Sequence, residues 1–261
     1  MKYEIAIPSY KRANILKNKT LKLLQQHGVN NSLINIFVES EEMAEEYKEL
    51  GMKHNKFTIT NCKGIMETRN FLRTYYREQT KFDGVVYIDD DIENVFEFIN
   101  KKMVMTHPDL KKFFDYAFKT TKYHNLNLWG VSALHNPFFM SDKVSTNLKY
   151  ICGALCGEII DRDKYEIHAD VDHGEDFQFS MEHFLRDGGV VRFNNVGLKT
   201  KYFELEGGIC GSLGGMKARQ QQMDENMNYL ADRYGAMCRV TNKKFGTDLR
   251  LNHFFKDLKV N

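Results

Sequence analysis

Hydrophobic and polar positions change period several times along this chain. Residues 3–8 alternate and then turn apolar, which predicts a first strand. Pro8 and the polar run Ser9-Tyr10-Lys11-Arg12 then open a helix that reaches Gln26. Ile15, Leu16, Leu23 and Leu24 fall on its inner face, and His27-Gly28 ends it. The same reading predicts a strand over 33–38, a charged helix over 41–50 stopped by Gly51, and a short strand over 56–60. A helix over 64–76 and a fourth strand over 85–88 follow. Strands that alternate with helices predict an α/β fold with a largely parallel, Rossmann-like sheet flanked by helices. Such a sheet binds ligands at the C-terminal ends of its strands.

The second half is less regular. An amphipathic helix is predicted over 109–121 and strands over 128–133, 150–160 and 190–193, the second interrupted by Gly153 and Gly157. Helices over 176–186 and 223–234 flank a glycine-rich stretch, 202–215, that reads as loop. Neither a tandem repeat nor a low-complexity linker breaks the chain, so one domain over 1–261 with a helical and loop extension at 216–261 is expected.

Composition narrows the class. The 261 residues are 42% hydrophobic, enough for one large α/β domain. No apolar run is long enough for a membrane span. The apolar start is too brief for a signal peptide, and five scattered cysteines fit a reducing compartment, so a cytoplasmic location is expected. Net charge is only +2, yet residues 217–261 hold nine Lys/Arg against five Asp/Glu. This basic end suits a polyanionic partner such as DNA, and equally an ordinary solvated helical surface.

Candidate chemistry begins where the fourth strand ends. Val85-Val86-Tyr87-Ile88 runs straight into Asp89-Asp90-Asp91. Adjacent like charges repel and Asp is a poor strand former, so the cluster calls for a cation or sugar hydroxyls. Carboxylate oxygens are hard ligands suited to Mg²⁺ or Mn²⁺, and such ions hold phosphates. Pro8, Ser9, Tyr10 and Arg12 stand where the first strand meets its helix, a place for phosphate. Glu39 ends the second strand, and Thr68-Arg69-Asn70 lies near the start of the third helix. Each alone reads as a cap or a surface charge. Together they line one strand-end rim.

This set of segments resembles the glycosyltransferases of the GT-A fold. The resemblance implies a nucleotide-sugar-binding half at 1–100, an acceptor half at 101–215 and the extension at 216–261. It implies that Asp89 contacts the donor ribose or sugar, that Asp91 ligates Mn²⁺ or Mg²⁺ on the diphosphate, and that Asp90 reaches sugar hydroxyls. Pro8, Ser9, Tyr10, Arg12, Glu39, Arg69 and Asn70 would complete the donor site. His173-Gly174-Glu175-Asp176 precedes an amphipathic helix. A helix N-terminus alone explains part of that acidity. The resemblance implies a base for the acceptor hydroxyl, Asp176 first and Glu175 second, and inversion at the anomeric carbon. A C-terminal metal-binding His, common in such enzymes, has no clear counterpart; after His183 only His253 remains.

The tail, from Glu206-Gly207-Gly208 through Asn242–Asn252, resembles a narrower group. These are phage-type and TET-associated enzymes that glycosylate hydroxymethylated pyrimidines in DNA, above all those of T-even phages that add a second glucose. That implies UDP-glucose as donor and hydroxymethylcytosine DNA, plain or glucosylated, as acceptor. Gly207 and Gly208 would belong to an acceptor loop. His135 and Trp129, with the aromatics near them, form a candidate acceptor wall, although aromatics this dense are more often core. Other classes fit less well. A non-DNA glycan acceptor stays open. A non-catalytic DNA-binding module would not need two carboxylate clusters. An aspartyl phosphohydrolase expects a hydroxyl residue where Ile92-Glu93-Asn94 stands, and Cys152/Cys156 have no partners for zinc.

Overall fold

The computed structural model describes residues 1–100, 102–104, 109–200, 216–243 and 246–255. Its centre is a mixed sheet with β3 (Lys56–Ile59), β2 (Ile34–Val38), β1 (Tyr3–Pro8) and β4 (Gly84–Ile88) side by side and parallel. The order continues through β9 (Leu155–Ile159), β7 (Leu128–Ser132), β10 (Val191–Lys199), β5 (Asn94–Ile99) and β6 (Lys102–Val104), while β8 (Val144–Ser145) pairs with β10. Most strands point the same way; β5, β8 and β9 are the reversed ones. The largely parallel sheet is thus as expected, and the insertion of antiparallel β9 between β4 and β7 is not. A short apolar strand buried on both faces reads the same in either direction.

The core follows from the period-two pattern. Ile5, Ile7, Ile34, Ile36, Val86, Ile88, Trp129 and Phe193 point to one face, covered by helix α1 (13–26), helix α2 (Glu41–Tyr47) and helix α4 (Leu110–Tyr123). Ala6, Phe37, Val85, Tyr87 and Leu128 point to the other, under helix α3 (Gly64–Glu78) and helix α5 (Glu175–Asp187). The first helix begins at Ala13, later than expected, because Lys11 takes φ 55 and turns the chain after Ser9. Its middle turn, Lys17–Leu21, is π-helical.

Helix α6 (Met216–Tyr234) and the hairpin β11 (Cys238–Lys243) with β12 (Gly246–Leu251) form the extension. Met227, Leu230, Leu249 and Leu251 pack against Met181 and Phe184 of α5. Gly174, at φ 84 just before α5, lies so close to Met227 that a side chain there would collide with it. At the far end of α5, buried Asp187 accepts from Lys164 at 2.9 Å, Arg186 at 3.0 Å and His183 at 3.1 Å. Burial alone would raise its carboxyl. The bonds from His183 and Arg186 outweigh burial and hold it well below the usual range. Strands β5, β6, β11 and β12 had no counterpart in the pattern reading, whereas the loop expected at 202–215 lies outside the described residues. Among the described residues no helix is long and apolar enough to cross a membrane.

Candidate active site

The order β3-β2-β1-β4 reverses chain direction of growth between β1 and β4, where parallel sheets open a crevice. Pairing of Ala6 with Tyr87 brings Pro8-Ser9 and Asp89-Asp90-Asp91 to the same edge. The three carboxylates then part ways. Asp90 turns inward and is only 4% exposed. It accepts from Ser9 Oγ at 2.6 Å and from Arg12 Nη1 at 3.4 Å. Burial pushes its carboxyl up to about 7, against the pull of Ser9 and Arg12. Tyr47 closes this corner, its hydroxyl 3.0 Å from Ser9 Oγ and accepting from the Arg12 N–H at 2.9 Å. Asp90 is thus tied to the Ser9–Arg12 turn and is the least exposed of the three carboxylates.

Asp89 and Asp91 stay reachable, with side chains 32% and 13% exposed. Asp91 accepts from Thr200 Oγ1 at 2.8 Å and lies 3.5 Å from Arg12 Nη1. Asp89 accepts from Arg69 Nη2 at 3.0 Å; burial raises its carboxyl and Arg69 opposes the rise. The turn that carries them is stapled by Thr20, fully buried in the π-helical turn. Its hydroxyl donates to Asp89 O at 2.7 Å and accepts from the Ile92 N–H at 2.9 Å. Single π turns inside helices are frequent at functional sites.

The second cluster stands at the start of α5, across the same rim. Glu175 is 7% exposed and accepts from Arg69 Nη1. Burial raises its carboxyl while Arg69 opposes the rise. Asp176 is more open. Its Oδ2 accepts from the Tyr150 hydroxyl and from the Gly153 N–H at 3.4 Å, and its Oδ1 from the Phe177 N–H at 2.9 Å. Arg69 thus joins the two clusters, donating to Asp89 with one nitrogen and to Glu175 with the other. Its guanidinium occupies the space where Gly153 has no side chain; a Cβ there would overlap it.

Other expected site residues fall in different places. Tyr10 is partly exposed beside Lys11, whose Nζ sits 5.1 Å from the ring centre. Glu39 follows β2 at the same edge, and its carbonyl accepts from the Asn61 N–H at 3.1 Å. Asn70 is tied to the segment before α5. Its amide exchanges two hydrogen bonds with the Ala169 backbone, at 2.7 Å and 2.9 Å. Trp129 is a correction: it is fully buried among Phe113, Phe114, Phe118 and Phe193 and lines no acceptor wall. His135 is exposed on the loop after β7, stacked on Phe96 at 4.8 Å with Nδ1 2.9 Å from Leu198 O. Gly207 and Gly208 lie outside the described residues. Thr20, Tyr47, Tyr150, Gly153 and Thr200 were not singled out in the sequence, because each acts on a partner far away along the chain.

Asp89 and Asp91 suit a divalent cation shared with phosphates. Among the described residues no group of three His, Cys, Asp or Glu side chains converges for a metal. Mg²⁺ and Mn²⁺ need no such cage when one or two carboxylates act with substrate phosphates. Asp89 and Asp91 are the reachable hard donors for that arrangement.

No family model matches this chain, and no curated protein matches it. Solved structures do. The chain is similar to S. aureus TarS 1–349 in complex with UDP-GlcNAc, at TM-score 0.56 and 15% identity over 89% of this chain and 66% of that one. It is similar to the mannosyltransferase PcManGT from Pyrobaculum calidifontis in complex with GDP-Man and Mn²⁺, at TM-score 0.55 and 10% identity over 88% and 64%. It is also similar to a mycobacterial protein, at TM-score 0.52 and 10% identity over 96% and 83%. The chain spans slightly less than two thirds of the length of the first two. The fold is the GT-A fold of glycosyltransferases.

Proposed function

We propose that this protein is a glycosyltransferase that moves a sugar from a nucleoside diphosphate donor to an acceptor hydroxyl. The observation that carries this reading is the pair of carboxylate clusters facing one crevice and bridged by Arg69. The Ser9–Arg12 turn, Glu39, Asp89 and Asp91 form the donor side. Mn²⁺ or Mg²⁺ on Asp89 and Asp91 supplies Lewis-acid stabilisation of the leaving diphosphate when bound. Asp176 is the base. The acceptor oxygen forms its bond to the anomeric carbon as its proton passes to the Asp176 carboxylate. The electron pair of the broken glycosidic bond leaves with the nucleoside diphosphate, and attack opposite the leaving group inverts the carbon. Tyr150 and the Gly153 N–H orient Asp176 Oδ2. Glu175, buried and bound to Arg69, is a positioning residue rather than a second base.

The finer reading is glucose from UDP-glucose and hydroxymethylcytosine DNA, plain or glucosylated, as acceptor, in the cytoplasm of a phage-infected host. It rests on the resemblance of the tail and the basic excess of residues 217–261. The whole chain acts as one catalytic domain, with His135 at the acceptor rim.

Calorimetry with UDP, with and without Mn²⁺, tests the donor side. Tight binding that requires the cation is expected, and full affinity in EDTA sinks the metal assignment. Incubation with a panel of UDP-sugars and DNA containing hydroxymethylcytosine, followed by nucleoside mass spectrometry, tests the acceptor. A hexose added to the modified base is expected. Donor binding without any transfer to DNA points to a non-DNA glycan.

A further inference from the structure

Positive charge gathers at one place that the sequence leaves scattered. Arg192 sits on β10 between Gly130 of β7 and Ser145 of β8. It is partly buried, and its Nε is buried with no hydrogen-bond partner. Lys149 and His253 lie beside it. His253 is fixed by Nδ1 at 3.0 Å from Leu148 O and by its own carbonyl, which accepts from Asn147 Nδ2 at 2.6 Å. Burial lowers the His253 pKa, and the charges of Lys149, Arg192 and Arg250 lower it further. Burial and then Arg192 likewise lower Lys149.

Arg250 is on β12, directly across from Arg239 of β11. Like charges directly opposite in a hairpin are destabilising. Among the described residues none of Lys149, Arg192, Arg239 and Arg250 forms an ion pair. Asp248 shares the outer face of the hairpin, and its Oδ1 accepts from the Leu249 N–H at 2.9 Å. Arg192 lies close enough to Tyr150, whose hydroxyl holds Asp176, for their charges to interact, and Lys149 precedes Tyr150. Cations gathered without a carboxylate at ion-pair distance suit an anion from outside.

We propose that Lys149, Arg192, Arg250 and His253, extended by Arg239, form a phosphate-binding track that grips the backbone of a nucleic-acid acceptor next to Asp176. This rests on the reading of DNA as acceptor. The track contacts phosphates and carries no base information, so it sets position while the crevice selects the hydroxyl. Each lysine or arginine neutralising a phosphate releases counterions and steepens the salt dependence of binding by about one unit.

The test measures fluorescence anisotropy of a duplex containing hydroxymethylcytosine against salt concentration. Wild type is compared with Lys149→Gln/Arg250→Gln, and Arg192→Gln is a separate variant. Neither residue of the double variant is buried, so folding is kept, and unchanged UDP affinity by calorimetry confirms it. The slope of log affinity against log salt is expected to fall by about two units in the double variant and about one in Arg192→Gln. A wild-type duplex affinity whose slope is the same in the double variant overturns the track and leaves the DNA reading standing. A wild type that binds inorganic polyphosphate through these residues but no duplex overturns the nucleic-acid occupant, and with it the DNA reading.

Discussion

The two carboxylate clusters are built alike and used differently. Each has one member turned inward, Asp90 at 4% exposed and Glu175 at 7% exposed, and neighbours left open to the crevice. On the donor side the inward carboxylate takes a hydroxyl and a guanidinium at 3.4 Å, and Arg12 spreads itself over Asp90 and Asp91. On the acceptor side Glu175 takes Arg69 directly, and Arg69 also reaches back to Asp89. A row of acidic letters thus divides into posts and tools by burial. In the proposed reaction the first cluster leaves Asp89 and Asp91 within reach of a cation, and the second fixes Asp176 through Tyr150 and Gly153.

Four changes would break or sharpen that contrast. The largest effect is expected from Asp176→Asn, which removes the proposed base while keeping its shape. Transfer should slow by about 10³-fold with donor affinity retained, measured by product formation and UDP calorimetry. Equal loss of both would move Asp176 to the donor side. Next comes Arg69→Ala, which takes the shared cation from buried Glu175 and half-exposed Asp89. Stability should fall by about 3 kcal/mol in urea denaturation; a loss no greater than that of Arg12→Ala would erase the distinction between the clusters.

Asp187→Asn, at the far end of the helix that begins with Glu175 and Asp176, should cost about 2 kcal/mol at neutral pH. The sign with pH follows from its depressed folded-state pKa. Its stabilisation is complete above the ordinary carboxyl value and is lost as pH falls below it towards the folded value, so the wild type and variant should converge in acid. Parallel stability curves down to low pH would refute the account. The smallest effect belongs to Arg12→Ala, about 1 kcal/mol, since its two carboxylate contacts are long, at 3.4 Å and 3.5 Å, and Ser9 still donates to Asp90. UDP affinity should drop more visibly than stability.

What could be read in advance was whatever is contiguous. Asp89-Asp90-Asp91 and Glu175-Asp176 each follow a local change of pattern, so both clusters and their strand-end and helix-start placement were legible. The bridge between them was not, because Arg69 lies 20 residues from Asp89 and 106 from Glu175. Asp90 and Asp91 look identical as letters, and only the Ser9–Tyr47 corner shows which one is buried. Trp129 misled for the same reason: aromatic density marks core and sugar platforms equally. Likewise Lys149, Arg192 and Arg250 converge only through the pairing of β8, β10 and the C-terminal hairpin.

The bare α-carbon at Gly153 has a consequence for how this site can change over generations. Because the Arg69 guanidinium fills the space a side chain would need, any side chain at 153 must push the tip of Arg69 off Asp89 and Glu175. The two positions behave as a single heritable trait. A shorter residue at 69 would make room but give up the bridge to Asp89 and Glu175, so a functional library is expected to keep glycine at 153 together with arginine at 69.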